Sequence, residues 1–158
     1  MGVMLASLVF SPNTWARNVF YGQLDLYSLE VPLGWTVEDA GDVADANIAS
    51  PGGKERGSMF VGVHEAKGTL DDEANEVVTN PLSQQPITVD GFSCLHVTYY
   101  SRGPGNTVFC QFTVPFEDGP TRVTFWIGNV AHPDEQTSQE TAFWQTVHSI
   151  KWSEGLEP

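Results

Sequence analysis

The sequence predicts an α+β domain, one antiparallel β-sheet of about six to seven strands flanked by helices. Three observations carry that expectation. Segments with period-two alternation, rich in aromatic and β-branched residues, lie between Gln23 and Glu65 and again between Phe92 and Asn129. Two other segments, Thr69–Thr79 and the stretch after Thr137, carry the apolar spacing of a helix. The three longest strand candidates follow one another with only turn residues between them, which makes a meander and therefore an antiparallel sheet.

In chain order, Val3–Phe10 is a short apolar run followed by Thr14-Trp15-Ala16, a passable small-residue cleavage site. No Lys or Arg precedes the run, and eight apolar residues are too few to span a bilayer. Three readings stand for it: a truncated export signal, the tail of a longer transit peptide, or a segment packed on the domain or a partner. The export or transit remnant is adopted, with residues 1–20 as a leader or N-terminal extension and 21–158 as a single domain. An exported location follows, whether periplasm, extracellular space or thylakoid lumen.

Gln23–Val31 alternates as a strand until Pro32-Leu33-Gly34-Trp35 breaks it, and Trp35 is expected in the core. Val43–Ser50 is the second strand, closed by the turn Pro51-Gly52-Gly53. Ser58–Glu65 is the third, with Met59, Val61 and Val63 on one face and Phe60, Gly62 and His64 on the other. Thr69 caps a helix whose first turn is acidic and whose stripe is Leu70, Ala74, Val77 and Val78. Asn80-Pro81 ends it. Ile87–Val89 is a short strand before Asp90-Gly91. The long strands are Phe92–Ser101, Thr107–Phe116 and Thr121–Asn129. The last helix is expected to open on the capping box Thr137-Ser138-Gln139-Glu140, to dock through Phe143, Val147 and Ile150 with Trp144 beside them, and to leave as the extended tail Ile150-Lys151-Trp152.

Seven Lys and Arg against 20 Asp and Glu give a net charge of −13. Such a surface repels phosphate backbones and anionic lipid, so neither nucleic acid nor a membrane surface is expected as partner. No second hydrophobic run offers a membrane span. Cys94 and Cys110 fall on adjacent strands about Gly103-Pro104-Gly105, and folding that hairpin puts Cys110 opposite Val97 or Thr98. Two separate thiols follow rather than a disulfide.

Motifs for catalysis are few. Gly52-Gly53-Lys54 lacks the spacing of a phosphate-binding loop, and no serine sits in a nucleophile elbow. Cys94 and His96 point to one face of a strand, where an imidazole can stabilise a thiolate. Strand neighbours on one face stand about 6–7 Å apart, beyond a hydrogen bond, so a small buried thiol and a satisfied histidine is the plainer reading. His132, Asp134 and Glu135 put an imidazole and two carboxylates in one loop, able to hold a hard cation weakly, although acids before a helix also serve its dipole. His64 and His96 meet only if strand order allows it, and His148 lies at a helix end where a cation is favourable. The carboxylates Glu38, Asp39, Asp42 and Asp45, and Asp71, Asp72, Glu73 and Glu76, read as a solvated surface with some preference for a basic partner. Trp126, Trp144 and Tyr99 or Tyr100 are candidate linings of an aromatic cleft, or plain core.

Several of these segments, in this order, resemble the PsbP-like superfamily. Tyr27–Trp35 resembles its strand followed by Pro-x-Gly-Trp, Ile48–Gly53 its second strand and turn, Ile87–Gly91 its strand-Gly step, and Phe143–Trp152 its closing helix ending in Ser-x-Lys-Trp. The likeness spans roughly residues 22–152. It implies an antiparallel sheet with helices on both faces, built by Trp35, Gly53, Gly91 and Trp152. It also implies a non-enzymatic accessory protein, without a cofactor, that docks on or stabilises a partner protein or larger complex. The superfamily includes extrinsic lumenal subunits of photosystem II, a Ran-binding import factor and exported bacterial proteins, so a photosystem-associated role is among its implications. This chain, however, has few lysines with which to dock on an acidic partner. The alternatives from the residues themselves are a small-ligand carrier with an aromatic cleft, and a thiol-dependent enzyme through Cys94 and His96.

Overall fold

Alternating residues on the long strands bury both faces of one sheet, and each face takes one helix. The computed structural model describes residues 18–42, 44–54, 56–103, 106–118 and 122–153. The apolar run Val3–Phe10 and Thr14-Trp15-Ala16 lie outside them. Seven strands form the main sheet: β3 (Thr36–Glu38), β4 (Ala46–Ala49), β5 (Gly57–Glu65), β6 (Ser83–Val89), β7 (Phe92–Gly103), β8 (Asn106–Asp118) and β9 (Val123–Ala131). Their order is β3-β4-β5-β9-β8-β7-β6, antiparallel throughout. A second sheet of β1 (Asn18–Tyr21), β2 (Tyr27–Val31) and β10 (Lys151–Trp152) has β2 at its centre. Three residues of the expected N-terminal extension, Asn18 to Phe20, thus pair with Val31, Glu30 and Leu29 of β2.

Helix α1 (Leu70–Val77) packs on β7 and β8 through Ala74, with Val78, Leu95 and Val97 completing a small apolar cluster. Helix α2 (Gln136–His148) lies on the opposite face, where Ala142, Phe143, Val147 and Ile150 meet Ile48, Met59, Val61, Phe125 and Ile127. The second sheet covers the rest of that face with Tyr27, Leu29 and Val31. Trp152 joins the two sheets, its ring 5.1 Å from Phe92 and 5.2 Å from Phe125. The expected faces of β5 hold: Met59 and Val61 enter the large core, while Phe60 packs on Trp126 and His64 meets α1.

Local chemistry explains the departures. The first strand begins at Tyr27, because Gln23–Asp25 forms a 3-10 turn that ends with Asp25 in the left-handed region. The second begins at Ala46, and its neighbour β3 has no buried side chain to mark it in sequence. Val77 is exposed and leaves the expected stripe, since the helix ends there and Val78 turns extended into the core. Trp35 packs at the edge of the core, half-buried. β6 runs from Ser83; it is an edge strand, so Pro86, which has no N–H to give, is tolerated. β8 is an interior strand, and there the missing N–H of Pro115 coincides with a shift of the β8–β9 register between Thr113 and Phe116. The capping box at Thr137 does not form. A 3-10 turn over Pro133–Glu135 runs straight into α2, so the helix starts at Gln136 with Glu135 as its cap residue. Cys110 stands opposite Tyr99, one residue beyond the expected register and far from Cys94, which pairs with Ile87.

Candidate partner-binding groove

Helix α2 presents two stripes. Gln139, Ala142, Phe143, Thr146 and Val147 are buried against the sheet. Thr137, Glu140, Thr141, Trp144 and His148, at steps of three and four residues, form the neighbouring stripe and line a groove of about 1030 Å³. The other wall comes from distant parts of the chain: Glu30 on β2, Val89 and Asp90 at the β6–β7 turn, and Lys151 on β10. Asp90 and Gly91 both take positive φ, 50° and 83°, between the paired residues Val89 and Phe92. That is the two-residue hairpin turn that an Asp-Gly pair favours, and it sets Asp90 on the rim. The groove is broad and open to solvent.

Trp144 is its aromatic element, half-buried and held from behind. Its ring stands edge-on to His96 at 4.8 Å and to Phe143 at 5.2 Å, with His148 at 6.1 Å. His96 Nε2 lies 3.1 Å from Gln111 Oε1. Burial holds the His96 ring below its ordinary pKa, against the smaller opposing effects of Gln111 and Glu140, so it is a neutral support for the indole.

Cys94 and His96 do share a face, the one under α2, but they do not make a thiolate pair. The Cys94 thiol is buried, donates to the Phe92 carbonyl at 3.3 Å, and is pushed up to about 11, chiefly by burial. A protonated thiol beside a neutral imidazole is a poor nucleophile. Native protein at neutral pH is therefore expected to alkylate at Cys94 on the order of a hundredfold more slowly than unfolded chain. Iodoacetamide labelling followed by peptide mass spectrometry measures this; equal rates in both states would remove the assignment.

The loop of His132, Asp134 and Glu135 is engaged structurally. Glu135 accepts from Arg56 at 2.9 Å and from Gln139 at 2.9 Å, while His132 Nδ1 stays 3.8 Å from Asp134. Among the described residues no three His, Cys, Asp or Glu side chains converge to hold a metal ion. His64 and His96 lie on opposite faces of the sheet, so they do not meet. Trp126 and Trp144 are likewise separated by the sheet, Tyr99 packs with Trp126 against the apolar cluster on the α1 side and Tyr100 is exposed, so Trp126 and Trp144 line no common cleft.

Two carboxylates read from sequence as solvated are structural instead. Asp45 accepts from the Tyr27 hydroxyl at 2.6 Å and the Gln23 amide at 3.1 Å. Burial first, and then Asp45, push the Tyr27 phenol far above its ordinary pKa. Glu73, only 6% exposed, accepts from His64 at 2.7 Å and from the Lys67 amide at 2.6 Å.

The arrangement of sheet and helices has counterparts among solved structures. Cyanobacterial PsbP (CyanoP) from Synechocystis sp. PCC 6803 is 13% identical and superposes with a TM-score of 0.64 over 87% of this chain and 93% of its own. The chain has the PsbP-like fold. The same PsbP-like architecture is shared with LpqN, involved in cell envelope biogenesis of Mycobacterium tuberculosis, at 13% identity, TM-score 0.62, and 79% and 82% coverage. It is shared too with the Saccharomyces cerevisiae Ran-binding protein Mog1p, at 12% identity, TM-score 0.56, and 86% and 95% coverage. No protein-family model matches the sequence, and no curated protein matches it. At these identities the likeness speaks of PsbP-like fold, and function has to be argued from the site. Among the described residues no helix is long and apolar enough to cross a membrane.

Proposed function

We propose that this protein is a non-enzymatic accessory protein that docks on a partner protein or complex through the groove along α2. The observation that supports it is the character of that groove. It is wide and open, lined by a half-buried indole with polar and charged neighbours, and the Cys94 thiol, buried and protonated, is not part of its lining. Such a surface recognises by contact area and charge, not by bond making. The Ran-binding Mog1p shows the same fold serving protein recognition.

Lys151 gives the test its handle, because it is the lysine of the groove lining. Amine-reactive cross-linking in extract from the native source is expected to join Lys151 to one recurrent partner, identified by mass spectrometry. Cross-links that fall instead on Lys54 or Lys67, away from the groove, would contradict this docking surface.

A further inference from the structure

The groove along α2 also defines the chemistry of its occupant. Resting on the docking reading above, we propose that it receives Arg or Lys side chains of a basic segment of the partner protein, seated on Trp144 between Glu140 and Asp90. The indole is braced by His96 and Phe143 and only half-buried, so it offers a fixed π surface. A cation placed over such a ring is attracted by its quadrupole, and a guanidinium can stack on it as well. Glu140 stands one turn before Trp144 on the same stripe, and its one described hydrogen bond, from Gln136, is long at 3.4 Å. Asp90 faces it from the other wall, exposed and fixed by its turn.

The charge balance points the same way. Apart from Glu30, the described groove lining sets Asp90 and Glu140 against Lys151, a net of one negative charge with histidine neutral. Lys151 sits where β10 pairs with Ser28, so it bounds the groove at the β2 wall. The whole chain, at −13, adds a long-range field that draws a basic partner and repels an acidic one.

The test is a titration of the full-length ¹⁵N-labelled protein with an acetylated, amidated peptide of alternating Arg and Ala, at about 0.15 M salt to suppress diffuse attraction. The Trp144 indole N–H and the amides of Asp90, Thr141 and Gln145 are expected to shift together, leaving the Trp126 indole unmoved. Trp144→Leu is expected to weaken binding about tenfold and Glu140→Gln about threefold to fivefold, whereas Glu76→Gln on α1 changes it less than about twofold. Shifts spread over the acidic surface, or equal losses at Glu76 and Glu140, would overturn the proposal. So would spermine, a non-peptide cation, binding as tightly as the peptide. If Trp144→Leu fails to fold, the shift map of the unaltered protein decides. Cross-links at Lys151 without peptide binding in the groove would leave the docking reading standing and remove the cationic occupant; absence of both removes both.

Discussion

Replacing Phe143 by alanine is expected to cost about 3–5 kcal/mol of folding stability. The ring is fully buried and is the central side chain by which α2 grips the sheet, among Tyr27, Leu29, Phe125 and Ile127. Truncation removes the transfer free energy of the ring and leaves a cavity that a seven-stranded sheet collapses into poorly. Against a total of about 5–15 kcal/mol for a domain, that is about a fifth or more of what holds the chain folded. Thermal unfolding followed by circular dichroism should show a midpoint lowered by about 6–20 °C. Val77→Ala, on the exposed end of α1, should change it by less than about 0.5 kcal/mol. A Phe143→Ala protein as stable as the parent would show that α2 is not held by this seam, and the groove built on α2 would lose its foundation.

Replacing Glu73 by glutamine is expected to cost about 1.5–3 kcal/mol near neutral pH and much less in acid. Burial alone pushes this carboxyl up, but the His64 ring and the Lys67 amide outweigh it and hold it below its ordinary value. A group whose folded-state pKa is depressed stabilises fully above the unfolded value, and that contribution is lost as pH falls through the folded one. The difference between parent and variant should therefore shrink on going from about pH 7 to about pH 3, as urea unfolding at each pH would show. A difference that stays constant across that window would mean that the carboxylate charge does not tie α1 to β5.

Local chemistry made much of this fold readable before any coordinates. The alternation over Ser58–Glu65, the Thr69 cap, the Asp90-Gly91 turn and the meander after Phe92 each involve residues close in sequence, and each is found in place. The second sheet was not readable. Its β2–β10 pairing joins residues more than a hundred positions apart, and β10 is two residues long, too short for any period to show. The start of α2 misled because Thr137 and Glu140 fit a capping pattern that the preceding 3-10 turn pre-empts.

The site was legible only in fragments. Trp144 stood out as an aromatic beside the docking seam, but its groove partners Glu30, Asp90 and Lys151 come from three other elements and meet only through tertiary packing. Glu73 and Asp45 looked like surface charge because a carboxylate's partner across a sheet or beneath a helix leaves no mark in the local sequence.

Oxidative footprinting by hydroxyl radicals, on the protein alone and in complex with the partner recovered by cross-linking, tests the docking face most directly. Trp144 should become protected in the complex while Trp126, on the far side of the sheet, keeps its reactivity. Protection of Trp126 with Trp144 unchanged would place the partner on the α1 face and contradict the account.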